Sequence, residues 1–332
     1  MDVPLAHLDR PFDYLVPAEL DAEAVPGVRV KVRFAGQLVD GWLLERADDS
    51  GHTGRLAYLE KVVSAEPVLA PEIARLARAV ADRYAGSLAD VLRLAVPPRH
   101  ARVEKEGRGE PVEPTAAGER VVDPRGWRDY PAGPAYLRAL TNGRAPRAVW
   151  SALPGEDWAD RYADAVTATV AGGRGAVVVV ADARDLDRLD AALTATLGTG
   201  RHVCLTAALG PARRYRAFLA ARRGDVPVVI GTRAAMFAPV DRLGLVAIWD
   251  DGDDLHAEPR APYPHAREVL LTRAQLGEAA ALVGGYARTA EAQLLVETGW
   301  AREVVADRAT VRARTPAIAP TGDDPQLARD PG

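Results

Sequence analysis

One cysteine, Cys204, is all that 332 residues supply. That excludes a disulfide framework and a structural zinc site built from several thiolates. No apolar run approaches bilayer-spanning length, and the amino terminus lacks a signal-peptide pattern. A cytoplasmic protein with no membrane partner is therefore expected. An excess of basic charge is missing too, because the formal net charge is −4; a protein coated in cations is excluded. What is present is 48% hydrophobic and 27% charged. That is the make-up of a globular protein, in a chain long enough for two cores.

Three textures divide the chain. Residues 1–100 mix short alternating runs with one helix. Val28-Arg-Val-Lys-Val-Arg-Phe34 alternates strictly, with Val28, Val30, Val32 and Phe34 on one face and Arg29, Lys31 and Arg33 on the other. Ala35-Gly36 offers a turn into 38–46, which predicts a hairpin, and 56–63 predicts a third strand. From Pro71 to Tyr84 the spacing of Ile73, Leu76, Ala77 and Val80 predicts a helix, with Pro in its first turn and Gly86 past its end. Residues 101–146 hold six prolines and six glycines among clustered charges and read as a linker, with a short helix near 135–140. From 147 to about 306, short apolar strands (176–180, 202–205, 226–230, 245–249, 280–283) alternate with amphipathic helices. Leu186, Leu189, Leu193 and Leu197 mark one such helix. This alternation predicts an open parallel sheet covered on both sides. Residues 307–332 read as a disordered tail, polar and Pro-rich from about Thr315.

The stretch LPGEDWADRY (153–162) joins an apolar run to a helical one, where a nucleotide-binding lobe carries its phosphate loop. Such a loop, G-x-x-x-x-G-K-[ST], bares backbone N–H groups and brings a lysine to the phosphates. Here one glycine remains among a tryptophan and carboxylates. Downstream, Asp250, Asp251, Asp253 and Asp254 form an acidic run. It reads either as a solvated loop or as a divalent-cation site.

Several stretches in order resemble the primosomal protein N′ (PriA) replication-restart family, in a variant with degenerate helicase motifs. They are PFDYLVP (11–17), VRVKVRFAGQ (28–37), SAEPVLAPEI (64–73), ADRYAGSLADVLRLAVPP (81–98), VVIGTRAAMFAPVDRLGLV (228–246) and APYPHARE (261–268). The resemblance implies an α/β protein. A small, mostly β, 3′-end DNA-binding domain (1–100) is joined by a linker to a RecA-like first lobe of a superfamily 2 helicase (147–306). The winged helix that the family places between them does not fit in 101–146. A cysteine-rich zinc region and a second lobe would follow residue 332, so the chain reads as a fragment or a truncated form. Zinc is expected only in that missing part.

Laid over the family's phosphate loop, Gly155, Glu156, Asp157, Trp158 and Ala159 keep one glycine and lose the lysine and the magnesium-binding hydroxyl. The family's Asp-Glu-Glu-His box falls on Trp249, Asp250, Asp251 and Gly252. The third motif falls on Gly285-Tyr-Ala-Arg-Thr289. Indole carries no charge for a phosphate, and Glu156 and Asp157 repel one, so ATP is not expected as a cofactor. Trp158 and Trp249 read as filling the vacated space.

The resemblance assigns recognition of a strand's 3′ end to Phe12 and Asp13. A carboxylate accepts a hydrogen bond from a free hydroxyl, and a ring stacks on a base. Without the resemblance, a core Phe12 and a turn-capping Asp13 serve as well. The family's pocket glycine falls on Ala35, with Gly36 next, and its lysine on Ala57, flanked by Arg55 and Lys61. Residues 1–100 carry a net −3, so backbone contact rests on local groups: Arg29, Lys31 and Arg33, or Thr232 and Arg233 after a later strand. The run 209–223, with Arg213, Arg214, Arg216, Arg222 and Arg223, offers a surface for DNA or a partner; either basic run reads equally as solvated surface. The expected function is a non-catalytic restart protein that binds forked DNA with a 3′ end and recruits single-stranded DNA-binding protein and replisome or primosome proteins. Two alternatives stay open: an ATP-dependent 3′–5′ helicase with an atypical site, and a metal-dependent phosphohydrolase using residues 250–254.

Overall fold

Strict alternation in a basic–apolar run folds as expected into a small antiparallel sheet. A computed structural model describes residues 6–64, 66–106 and 124–317. Strand β1 (Arg29–Phe34) pairs with β2 (Gln37–Trp42) and, on its other side, with β3 (Leu59–Val62). Its apolar face joins Ala24, Val28, Val30, Val32, Leu59 and Val62 in a small core.

Helices α1 (Pro71–Arg83), α2 (Leu88–Ala95) and α3 (Ala101–Lys105) follow. Proline opens α1, and the Ser87 hydroxyl caps α2 by accepting from the Asp90 amide at 3.2 Å. After α4 (Gly133–Thr141) the chain alternates: β4 (Arg147–Ser151), α5 (Trp158–Ala171), β5 (Gly175–Val179), α6 (Ala183–Leu197), β6 (His202–Leu205), α7 (Pro211–Arg222), β7 (Val228–Gly231) and β8 (Leu243–Trp249). It ends with α8 (Ala266–Leu276), β9 (Ala280–Gly285), α9 (Ala290–Glu297), β10 (Arg302–Val304) and α10 (Arg308–Arg314). The seven strands lie in the order β10-β4-β9-β8-β5-β7-β6, every neighbouring pair parallel. Both faces are covered, and every residue of β5 is buried, as an all-parallel sheet requires.

The two apolar faces divide the chain differently from its texture. On one face, α1 and α2 share a continuous core with residues of α7, α8 and the strands. The expected boundary near residue 100 therefore crosses a core: the three-stranded sheet stands on its own cluster, but α1 and α2 do not. On the other face, Trp127, Tyr130, Tyr136, Leu137 and Leu140 are buried with α5 and α6. The segment read as a linker thus ends as structural filling, because its aromatic residues find a sheet face that local composition does not announce. Residues 107–123 lie outside the described residues. Likewise α10 replaces the first part of the expected tail, capped by Asp307, whose carboxylate accepts from the Thr310 amide at 2.8 Å; residues 318–332 lie outside the described residues.

Candidate nucleic-acid interface

A cavity of about 720 Å³ opens beside the small sheet, lined by Phe12, Asp13, Trp42, Asp49, Ser50 and His52 among others. Two backbone bonds to neighbouring chain pin the segment that carries Phe12 and Asp13: the Leu15 amide donates to Ala57 O at 2.9 Å, and the Leu59 amide to Leu15 O at 2.8 Å. The half-buried Phe12 ring meets Phe34 edge-on at 5.3 Å between centroids. Asp13 is exposed, and its carboxylate accepts a hydrogen bond from the Ser50 hydroxyl at 2.5 Å. Ser50 and Trp42 carry no signal in the sequence that links them to Asp13, since the contact spans 37 positions.

Ala35, Gly36, Arg55 and Lys61 do not line this cavity. Ala35 and Gly36 form the two-residue hairpin turn, both with positive φ (49° and 79°), which is the type I′ pattern that matches strand twist. Arg55 and Lys61 are exposed on the surface nearby.

The basic face of β1 is not an open cationic stripe. Lys31 pairs with Asp40 at 3.1 Å and Arg33 with Glu60 at 2.7 Å. The Arg29 guanidinium lies 4.3 Å over the Trp42 ring and donates to Pro97 O at 2.5 Å. Burial lowers its pKa from the ordinary arginine value, and it acts as a packing strut. The Lys31–Asp40 pair follows from the turn: closure over Ala35-Gly36 sets these two opposite each other.

In the large sheet, the loop between β4 and α5 carries the residues laid over the family's phosphate loop. Gly155 has φ of 73°. Asp157 caps α5, its carboxylate accepting from the Ala159 amide at 3.3 Å and pairing with Arg188 at 3.2 Å. A carboxylate of the chain itself therefore meets the positive helix end that would attract an anion. Glu156 accepts from the Tyr130 hydroxyl at 3.0 Å. Trp158 is buried and stacks flat on Trp249, centroids 4.7 Å apart and planes at 9°. Tyr162 stands edge-on to both, and its hydroxyl donates to Ile248 O at 2.6 Å. Trp150 and Trp127 extend the cluster. Ring surface occupies the space between the β4–α5 loop and the end of β8.

The acidic run is dispersed. The buried Asp251 carboxylate accepts from the Arg267 guanidinium at 2.9 Å and the Thr289 hydroxyl at 2.8 Å. Asp253 caps the turn that follows, accepting from the Leu255 amide at 2.8 Å. Asp250 has φ of 51°; burial, then the Asp253 charge, raises its carboxyl above the ordinary value. Among the described residues, no group of three His, Cys, Asp or Glu is placed to hold a metal. Of the carboxylates named for the phosphohydrolase alternative, Asp251 is engaged by Arg267 and Thr289 and Asp253 by the Leu255 amide. Buried His256, which the sequence reading passed over, approaches Trp249 O through Nε2 at 3.0 Å.

The other arginines are largely engaged within the chain. Arg233 pairs with buried Glu258 at 3.2 Å and donates to Leu255 O at 2.9 Å, while Thr232 begins a short turn beside it. On α7, Arg216 grips Glu106 through two nitrogens, and Arg223 at the end of that helix grips Glu66 at 2.6 Å. Two of the five arginines expected to form a cationic surface on 209–223 thus tie that region to earlier segments of the chain, and Arg213 stays exposed.

Residues 1–97 match the family described as the 3′DNA-binding domain (3′BD). The chain is 58% identical over 326 residues to the probable replication restart protein PriA of Mycobacterium tuberculosis, covering 98% of this chain and 49% of that protein. Its counterpart from Mycobacterium leprae is 56% identical over 317 residues, covering 96% and 49%. The replication restart protein PriA of Treponema pallidum is 26% identical over 280 residues, covering 82% and 41%. The chain thus spans about half the length of the curated relatives it matches. Among solved structures, the C-terminal domain of the DEAD-box protein Dbp5 overlaps 49% of the chain and 90% of its own, at 12% identity and a TM-score of 0.35.

Proposed function

We propose, from the match of residues 1–97 to the 3′DNA-binding domain and the 58% identity to the Mycobacterium tuberculosis protein, that the chain is a member of the replication restart protein PriA family and reads the 3′-hydroxyl end of a DNA strand at a fork without hydrolysing ATP. The observation that carries the reading is the cavity lined by Phe12 and Asp13, inside the segment that matches a 3′DNA-binding domain. Asp13 accepts the terminal hydroxyl and repels a terminal phosphate, and the ring of Phe12 or Trp42 takes the base. The large lobe acts as a rigid platform for single-stranded DNA-binding protein and replisome or primosome proteins. The Trp158–Trp249 stack and the Asp157 cap support the non-catalytic half of the proposal, since together they replace the charge and the space a nucleotide needs.

Fluorescence anisotropy tests the first half, on forked DNA whose leading-strand 3′ end is a hydroxyl or a phosphate. A preference for the hydroxyl that disappears in Asp13→Ala is the expected result. Equal binding of both ends by the unaltered chain overturns it. Equilibrium dialysis with ATP and magnesium tests the second half, where saturable uptake is the contrary outcome.

A further inference from the structure

We infer that Arg10 holds the phosphodiester immediately behind the strand terminus, an inference that rests on the end-reading role proposed for the cavity. A strand with its last sugar at Asp13 must bring one backbone phosphate across an acidic rim. Asp13, Glu45, Asp48 and Asp49 all line the cavity, and Arg46 is the one arginine or lysine among its lining residues. Arg46 is committed elsewhere: it pairs with Asp21 at 2.7 Å and donates to Ala24 O at 3.1 Å. The β1 cations are committed as well, through Asp40, Glu60 and the Trp42–Pro97 packing.

Arg10 differs from all of these. It is exposed, has no carboxylate partner among the described residues, and lies 5.1 Å from the centroid of the Phe12 ring that the cavity uses. Its position is also fixed from behind. The neighbouring Asp9 carboxylate accepts from Arg78 at 2.7 Å and from the Leu88 amide at 2.8 Å, which anchors this segment to α1 and α2. Pro11 on the other side restricts the backbone. A guanidinium stacked on an aromatic ring keeps its N–H fork free for two phosphate oxygens. Phe12, Asp13 and Arg10 together then take base, hydroxyl and phosphate of one terminal nucleotide.

The test titrates the full chain, with hydroxyl- and phosphate-ended forks, over a series of salt concentrations. Arg10→Gln is expected to reduce the slope of log K against log salt by about 0.7–0.9, the value of one phosphate contact. It should weaken both ends by the same factor, leaving the hydroxyl-to-phosphate ratio intact. Arg10→Lys should keep the slope, and Asp13→Asn should change the ratio and keep the slope. Because Arg10 is exposed, an unchanged melting profile accompanies its variants. An unchanged slope in Arg10→Gln, with the hydroxyl preference present, overturns the inference and leaves the end-reading role standing. So does a slope loss that appears in Arg55→Gln instead. Absence of any hydroxyl preference in the unaltered chain overturns the end-reading role and the placement of Arg10 with it.

Discussion

The two places where this chain could hold a nucleotide are built in opposite ways. Beside the small sheet, side chains surround a cavity of about 720 Å³, and the exposed carboxylates of Asp13, Glu45, Asp48 and Asp49 line it. At the corresponding place on the large sheet, two indoles lie 4.7 Å apart and a carboxylate of the chain caps the helix end. A recess with a polar group at its rim costs stability and persists where something binds. A recess filled by rings contributes stability and forgoes ligand. Substitutions in the two places should therefore separate cleanly, those in the lobe altering stability and those in the cavity altering binding.

The largest expected effects lie in the lobe. Trp158→Ala removes a fully buried indole and should lower stability by about 3–5 kcal/mol, read by chemical denaturation, without producing ATP binding. Binding gained in that variant would mean the stack merely blocks a working site. Arg267→Ala leaves buried Asp251 without its cation and should cost about 3–5 kcal/mol for the same reason that any uncompensated buried charge does. An unaltered denaturation midpoint would mean that water reaches Asp251 and that the acidic loop is freer than its packing implies.

Legibility in the sequence divides along the same line. Strand and helix periods gave the parallel sheet closely: His202–Leu205 is a strand at the expected bounds, and Leu186, Leu189, Leu193 and Leu197 are all buried on α6. Local periodicity carries that information. It does not carry the burial of Trp127 and Tyr130, whose neighbours are prolines and glycines and whose partners lie on β4 and α5. The aromatic residues themselves were the available signal. For the cavity, Phe12 and Asp13 were found through the resemblance, whereas Ser50 meets Asp13 only through tertiary folding. The β1 cations show the intermediate case. Their outward face was legible, and so was the Asp40 partner once the two-residue turn sets the register. The Glu60 partner was not, because a register irregularity in the β1–β3 pairing intervenes.

A smaller effect follows from acid. Burial lowers the pKa of both His256 and His265 below the ordinary histidine value. Folded, each holds a proton less readily than unfolded, where it takes one up near pH 6.5, about the model-peptide value. The unfolded chain then binds more protons, so stability is full above that pH and falls as pH drops through it. Denaturation midpoints between pH 7.5 and 5.5 should show this decline, and His256→Asn should flatten it. The raised carboxyls of Asp185 and Asp250 act in the opposite direction and at lower pH. A slope unchanged in His256→Asn would assign the decline to His265.

The smallest effect tests whether the two regions are separate at all. Ala35 holds a left-handed conformation at φ of 49°, which costs a residue with a Cβ about 1 kcal/mol. Ala35→Gly relieves that strain and gives part of it back through the freer unfolded chain, so the hairpin should gain less than about 1 kcal/mol. Amide exchange in residues 29–42 should slow by a few-fold at most. If the small sheet opens on its own core, exchange in β5 and β8 stays as it was. If α1 and α2 couple the small sheet to the lobe through their shared apolar face, the same few-fold slowing reaches those strands as well. The cavity would then be held in shape by the filled lobe, and the stability contributed by the tryptophan stack would serve the binding end of the molecule.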